Sequence, residues 1–155
     1  MALTAVKFSL TVEKIARGGA SGTGMLLNAD TLKMALASTA PTAATDTAYN
    51  TTATEVGSGN GYTTGGVSLT GATSNSAGTE TLKTTANFAS PMWTASGAGF
   101  TLRYFIFYDS TTNTTITQNL LYWDYASSLV LSGANGDTLD ISGSNFNTTG
   151  WATLA

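Results

Sequence analysis

Few side chains in this sequence could do acid–base chemistry. There is no histidine and no cysteine, so two common types of catalytic base and nucleophile are absent. No serine stands at the Ser-x-x-Lys spacing that would activate it. The remaining candidate is a carboxylate pair, Asp109 and Asp124, on the two arms of a predicted hairpin; glycosidases use such pairs about 5–10 Å apart. The favoured interpretation, which predicts no enzyme, is that Asp109 accepts turn N–H groups and Asp124 caps a strand end.

Two further arrangements could hold a metal or a cofactor. Asp137 and Asp140, with Asn135, offer oxygens to calcium. The Asp-x-Asp spacing of a calcium loop is missing, however, which favours turn chemistry. Segment 57–66 has the glycine content of a phosphate loop but lacks the Lys-Ser/Thr that completes one. We therefore predict neither a metal nor a cofactor.

Aromatic side chains offer a third kind of site. In apolar strands such residues are more often part of the core, and that is the first interpretation. The alternative is a carbohydrate-binding module, in which exposed rings stack on sugars. Its platform would consist of Trp93, Tyr122, Trp123, Tyr125 and Trp151.

Composition excludes several other classes of protein. The chain has 155 residues, which suits one domain, and its net charge is −3. Its six basic residues are scattered, so no face for binding nucleic acid is expected. No apolar run could span a membrane, and the start lacks the pattern of a secretion signal, so we expect synthesis in a cytoplasm. Only 10% of the residues are charged, which favours burial against partner chains; the alternative is a neutral surface covered by hydroxyls and amides.

The elements that position these residues are predicted to be strands, because threonine and glycine are abundant. Residues 100–108 and 119–125 flank a polar turn and form a hairpin. Its first strand is apolar on both faces, with Leu102, Tyr104, Ile106 and Tyr108 on one face and Phe105 and Phe107 on the other. Such a strand lies in the middle of a layered structure. The predicted fold is all-β, a jelly-roll-like antiparallel β-sandwich of about seven or eight strands.

Other strands are predicted on both sides of this hairpin, at 31–37, 67–70, 79–88, 91–95, 128–131 and 138–142. In the first of them Leu32, Met34 and Leu36 share one face. The Asn135-Gly136 pair is expected to turn the last two strands into a hairpin.

The start of the chain has two interpretations, an arm hinged off the sandwich and a first element packed on it. Residues 1–24 form an N-terminal arm or an ordinary first element, and residues 25–155 form the β-sandwich domain. Residues 3–17 suit a helix and a strand alike, and the glycines of 18–24 make a flexible connector. An arm would dock on a partner. The partner-binding residues expected are Lys7, Phe8, Leu10, Val12, Lys14, Ile15 and Arg17, with Tyr49 in the long Ala/Thr-rich loop.

Six segments follow a recognisable pattern: 30–36, 59–67, 88–95, 103–109, 121–125 and 135–139. In order and spacing they resemble a family of small structural proteins of tailed-bacteriophage virions, over residues 30–141. The resemblance implies a capsid decoration (cement) protein on the virion surface, made in the host cytoplasm. Its partners would be the major capsid protein and itself, as a homotrimer, with no nucleic acid and no membrane. The alternatives are a tail or head–tail structural protein and the carbohydrate-binding module.

Overall fold

The computed structural model describes residues 4–9, 31–46, 48–49, 55–69, 81–82, 91–111, 118–141 and 152–153. These residues form strands and turns and contain no α-helix. Every strand pairing is antiparallel. The all-β prediction is therefore confirmed.

The described residues form nine strands. They are β1 (Thr4–Lys7), β2 (Leu32–Ala37), β3 (Val67–Ser68), β4 (Thr81–Leu82), β5 (Met92–Thr94), β6 (Phe100–Asp109), β7 (Gln118–Leu131), β8 (Thr138–Asp140) and β9 (Ala152–Thr153). Five of them make one sheet in the order β1-β7-β6-β2-β3, while β5–β8 and β4–β9 are separate pairs. Of the strand predicted at 79–88, only Thr81–Leu82 lies in the described residues.

The predicted central hairpin is confirmed. Strands β6 and β7 pair along their length, and β6 also pairs with β2 on its other side. All residues from Tyr104 to Asp109 are buried. This position follows from the sequence, because a strand that is apolar on both faces is most stable where both faces are covered.

Apolar clusters lie on both faces of the five-stranded sheet. The main core includes Met34, Phe107 and Leu121, which are paired across three neighbouring strands. The rear cluster consists of Ala37, Tyr104 and Ile106, with Tyr49 and Tyr122 packed against it. Since successive strand residues point to opposite faces, the two clusters alternate along β2 and β6.

The prediction for Leu102 is wrong. Its spacing from Tyr104 and Ile106 predicts the same face for all three, but Leu102 lies in the main core, fully buried. The pairing of β6 with β7 shifts between Leu102 and Tyr104, whose partners are Leu129 and Asp124. Extra residues in β7 make a bulge there, and a bulge interrupts the regular alternation of faces.

The hairpin predicted for 128–131 and 138–142 is also wrong. Strand β7 continues through Leu131, and β8 pairs with β5 instead. The other Asn-Gly pair makes the tight hairpin turn, in which Gly59 and Tyr62 exchange two backbone hydrogen bonds around Asn60 and Gly61. Their φ angles of 53° and 94° suit the two-residue turn that matches strand twist.

The first described residues pack on the sheet as an ordinary first element would. Strand β1 pairs with residues 121–124 of β7. The backbone N–H of Phe8 then donates to the Leu120 carbonyl, and that of Ser9 to the Ala43 carbonyl. Residues 10–30 lie outside the described residues, so the arm and its helix-or-strand conformation stay predictions.

Candidate functional site

The structure does not bring together the two carboxylates considered as a catalytic pair. Asp124 pairs with Tyr104 on β6, and Asp109 lies five positions further along that strand. At about 3.3 Å per residue the two are roughly 17 Å apart, beyond the range of a glycosidase pair. Asp109 instead accepts the Thr111 backbone N–H at 2.8 Å, the turn contact expected of it.

Asp124 forms an ion pair across the central hairpin. Both of its carboxylate oxygens accept hydrogen bonds from Arg103, at 2.7 and 2.9 Å, and Oδ1 also accepts the Ala126 N–H. The Arg103 guanidinium lies over the Tyr104 ring, 5.1 Å from its centroid. The hydrogen bond from Arg103 lowers the pKa of Asp124. A general acid needs a raised pKa. This geometry instead suits an ion pair that links β6 and β7 beside the bulge.

Of the residues considered for calcium, Asp137 is used by the fold. Asp137 Oδ2 accepts the Ser132 N–H at 2.8 Å, and its carbonyl accepts the Ala95 N–H. Asp140 lies on β8, exposed and opposite Met92. Within the described part of the chain, no group of three or more His, Cys, Asp or Glu side chains could hold a metal ion.

The aromatic residues considered for sugar binding do not form an exposed platform where they are described. Trp93 is only 4% exposed and Trp123 only 7%, and both lie in the main core. Tyr122 and Tyr125 are partly buried against the two clusters. Trp151 lies outside the described residues.

The predicted partner-binding residues divide into two groups. Phe8 is 2% exposed and packs edge-on against Tyr122, and Tyr49 stacks on Tyr108 with 3.8 Å between ring centroids. These two side chains thus pack against residues of their own chain. The backbone of Lys7 belongs to β1. The others lie outside the described residues: Leu10, Val12, Lys14, Ile15 and Arg17.

A partly buried polar cluster that sequence reasoning missed lies at the edge of β2. The Tyr62 hydroxyl accepts the Leu36 backbone N–H at 3.0 Å and donates to Glu55 Oε1 at 2.6 Å. The same Glu55 oxygen accepts the Gly65 N–H at 2.7 Å, and the Tyr108 hydroxyl donates to the Gly65 carbonyl at 2.7 Å. We call these four side-chain contacts the edge cap, because they satisfy backbone groups beyond the end of β3.

The electrostatics of the edge cap keep its tyrosines protonated. Burial, and then the hydrogen bond to Glu55, raise the pKa of Tyr62 far above its ordinary value. Burial and the Glu55 charge raise the pKa of Tyr108 to about 12. A tyrosine with a raised pKa is a poor base and nucleophile at neutral pH, so the cluster is suited to donating hydrogen bonds.

Tyr49 stands beside the edge cap without joining it. Its hydroxyl is buried and makes no hydrogen bond to a described residue. Burial, followed by the nearby Glu55, raises the pKa of Tyr49. Glu55 is therefore close enough to disfavour a phenolate there, although its position does not satisfy the hydroxyl. Glu55 is the one acidic residue between Asp46 and Glu80, but neither its type nor its spacing indicates Tyr62 or Gly65 as partners.

Three turns interlock at one end of the sheet, and we call them the turn cluster: residues 59–62, 96–99 and 132–137. The Asn60 carbonyl accepts the Ser96 N–H at 2.9 Å, and its side-chain Oδ1 accepts the Ala98 N–H at 3.3 Å. A Cβ added to Gly61 would lie 1.9 Å from the Thr94 carbonyl oxygen, so only glycine fits. The exposed polar side chains of these turns include Asn60, Ser96 and Asn135.

The described surface offers little else to a ligand. Its exposed large apolar side chains are Met92, at 58%, and Val130, at 68%, and single exposures of this kind are common. No helix in the described ranges is long and apolar enough to cross a membrane. Comparison with protein-family models, curated proteins and solved structures found no match for the chain.

Proposed function

We propose that this protein is a structural component of a bacteriophage virion, a capsid decoration protein that stabilises the head shell. The observation that carries the proposal is how the described reactive groups are used. Asp109, Asp124, Asp137 and Glu55 each hold backbone or side-chain groups of the chain itself. Only 10% of the residues in the sequence are charged, and a low content of charged residues suits broad contact with other protein.

A layered packing of the strands supports the finer description, a jelly-roll-like β-sandwich. Trp93 of β5 belongs to the main core, and Leu139 of β8 packs against it. The β5–β8 pair thus contributes to the same apolar layer as the five-stranded sheet. A second layer of strands over one face is the defining feature of a sandwich.

The attachment we propose uses the start of the chain. Phe8 and the pairing of β1 anchor it to the sheet, and Ser9 is exposed where the described segment ends. The residues that follow would contact the major capsid protein: Leu10, Val12, Lys14, Ile15 and Arg17. A standard interface buries roughly 1,600 Å², and a homotrimer would present three such segments at once, multiplying the effective affinity.

Locating the protein in the particle is the first test. We expect mass spectrometry of purified virions to find the chain, and electron microscopy to place it on the outer face of the shell. Density in the tail or at the head–tail joint would replace the decoration role by that position. Absence from the virion, together with binding to a glycan array, would instead favour a carbohydrate-binding module.

A second experiment tests the attachment without disturbing the described fold. In a five-site variant, Leu10, Val12, Lys14, Ile15 and Arg17 are changed to serine, which leaves β1 and Phe8 intact. The matched control changes the exposed Met92 and Val130 to serine. We expect the first variant to lose occupancy on shells that lack the protein and the control to keep it. Full occupancy of the five-site variant would contradict the proposed attachment.

A further inference from the structure

The sequence contains two Asn-Gly pairs, at 60–61 and 135–136. In such a pair the backbone nitrogen of the glycine can attack the side-chain carbonyl carbon of the asparagine. Glycine permits this because it has no side chain to hinder the approach or to restrict the backbone. The reaction still requires the backbone to leave its turn geometry, so the surrounding structure decides which pair reacts.

The pair at Asn135 is held loosely. Asn135 and Gly136 are both exposed, and the Gly136 N–H makes one long bond, 3.2 Å, to the Gly133 carbonyl. A Cβ placed on Gly136 would meet nothing within 4 Å. Among the described residues, none hydrogen-bonds the Asn135 side chain. The turn can therefore open locally while Asp137 keeps its bonds to Ser132.

The pair at Asn60 is exposed, but hydrogen bonds and close packing hold its backbone in place. Its flanking residues, Gly59 and Tyr62, exchange two hydrogen bonds of 2.8 and 2.9 Å, and Tyr62 is buried in the main core. Both oxygens of Asn60 accept N–H groups from the 96–99 turn, and Gly61 fits closely against the Thr94 carbonyl. Opening this turn would break all of these contacts together, which is a far less frequent event.

We propose that Asn135 is a site of spontaneous deamidation and that the turn cluster protects Asn60 from the same reaction. A solvent base removes the Gly136 amide proton, and the nitrogen attacks Cγ of Asn135. The new N–Cγ bond closes a five-membered succinimide, the Cγ–Nδ2 bond breaks, and the nitrogen leaves as ammonia after taking up a proton. Water then opens the ring at either carbonyl to give aspartate or isoaspartate, with no change of oxidation state.

The product alters the turn cluster in two ways. Each event adds one negative charge beside Asp137 on a chain whose net charge is already −3. The isoaspartate form also adds one carbon to the backbone path of the 133–136 turn. This part of the surface therefore gains negative charge as the protein ages, next to the hydrogen bond between Asp137 and Ser132.

The test follows both sites by peptide mapping in one sample of folded protein, kept in mildly alkaline buffer, beside a urea-unfolded sample. Unfolded, both sites should deamidate at similar rates. In the folded protein we expect Asn135 to react within about threefold of its unfolded rate, and Asn60 at least about tenfold more slowly than Asn135, because its turn opens rarely. An Asn135→Ser variant should remove the acidic species from ion-exchange profiles.

Three results would overturn the proposal. They are equal rates at the two sites in the folded protein, faster reaction at Asn60, and an Asn135 that is inert when folded but reactive in urea. Folding is monitored by circular dichroism throughout, so that a sample in which Asn60 reacts because the chain has unfolded is recognised as the unfolded reference.

Discussion

Replacing Tyr62 by phenylalanine is expected to lower the free energy of unfolding by about 2–3 kcal/mol. The change removes one oxygen and leaves the ring in the main core. Leu36, fully buried, then has a backbone N–H without its acceptor, and an unpaired buried donor costs about 1–3 kcal/mol. Glu55 loses a bond as well, but it is partly exposed and keeps the Gly65 N–H, so water limits that loss to about 1 kcal/mol.

Urea and thermal unfolding measure this effect. For a chain of this length, 2–3 kcal/mol corresponds to a fall in Tm of about 4–12 °C. Two matched substitutions control for loss of a hydroxyl as such. Tyr104→Phe removes a hydroxyl that no described residue bonds, and we expect less than about 0.5 kcal/mol. Tyr49→Phe removes a buried, unpartnered hydroxyl, so it should be neutral or slightly stabilising.

The test is the order of the three variants in the unfolding free energy that each one loses. If Tyr62→Phe costs less than about 0.5 kcal/mol, the N–H of Leu36 has another acceptor and the edge cap is not a stabilising element. If Tyr49→Phe costs as much as Tyr62→Phe, then Glu55 bonds Tyr49 in solution and the assignment of the two tyrosines must be exchanged.

Three further predictions concern pH and backbone space. The pKa of Tyr108 is raised to about 12, so its contribution to stability is complete below about pH 10 and is lost as the pH rises toward 12. The urea midpoint should fall between these pH values, and it should fall less steeply in Tyr108→Phe. Asp124, whose pKa Arg103 lowers, contributes above about pH 4 and loses its contribution as the pH falls through the lowered value, so Asp124→Asn should flatten the acid limb of the stability curve. Gly66→Ala places a Cβ 1.9 Å from the Met34 carbonyl oxygen at a φ of 61° and should cost about 3 kcal/mol, whereas Gly57→Ala, with open space, should be neutral in the same melts.

The central layer of the fold could be predicted because its signals are local. The alternation of Leu32, Met34 and Leu36, and the apolar run from Tyr104 to Tyr108, depend on spacing alone. The face of Leu102 could not be predicted, since it depends on extra residues in the partner strand β7. The pairing of β8 with β5 likewise joins segments about 45 residues apart, over a distance at which turn signals carry no information.

The edge cap was beyond sequence reasoning for a related reason. Tyr62 bonds Leu36 across 26 positions, and neither residue type indicates its partner. What could be predicted was the chemistry of Asp109, whose side chain bonds an N–H two residues away. Contacts within a turn can be predicted from the sequence. Contacts at a sheet edge can be predicted only when the register of the strands between the two residues is known.

The edge cap also bears on where a partner could attach. Strand β3 pairs only with Lys33 and Met34 of β2, and beyond it the Leu36 carbonyl accepts the Val56 N–H while its N–H donates to Tyr62. That part of the β2 edge is closed to an incoming strand. Within the described ranges, β1 pairs on one side only, with β7, and it precedes residues 10–17. Strand β3, the other edge of the sheet, has only two residues, so a partner that extends the sheet should bind at the longer β1, the strand that precedes the proposed attachment segment.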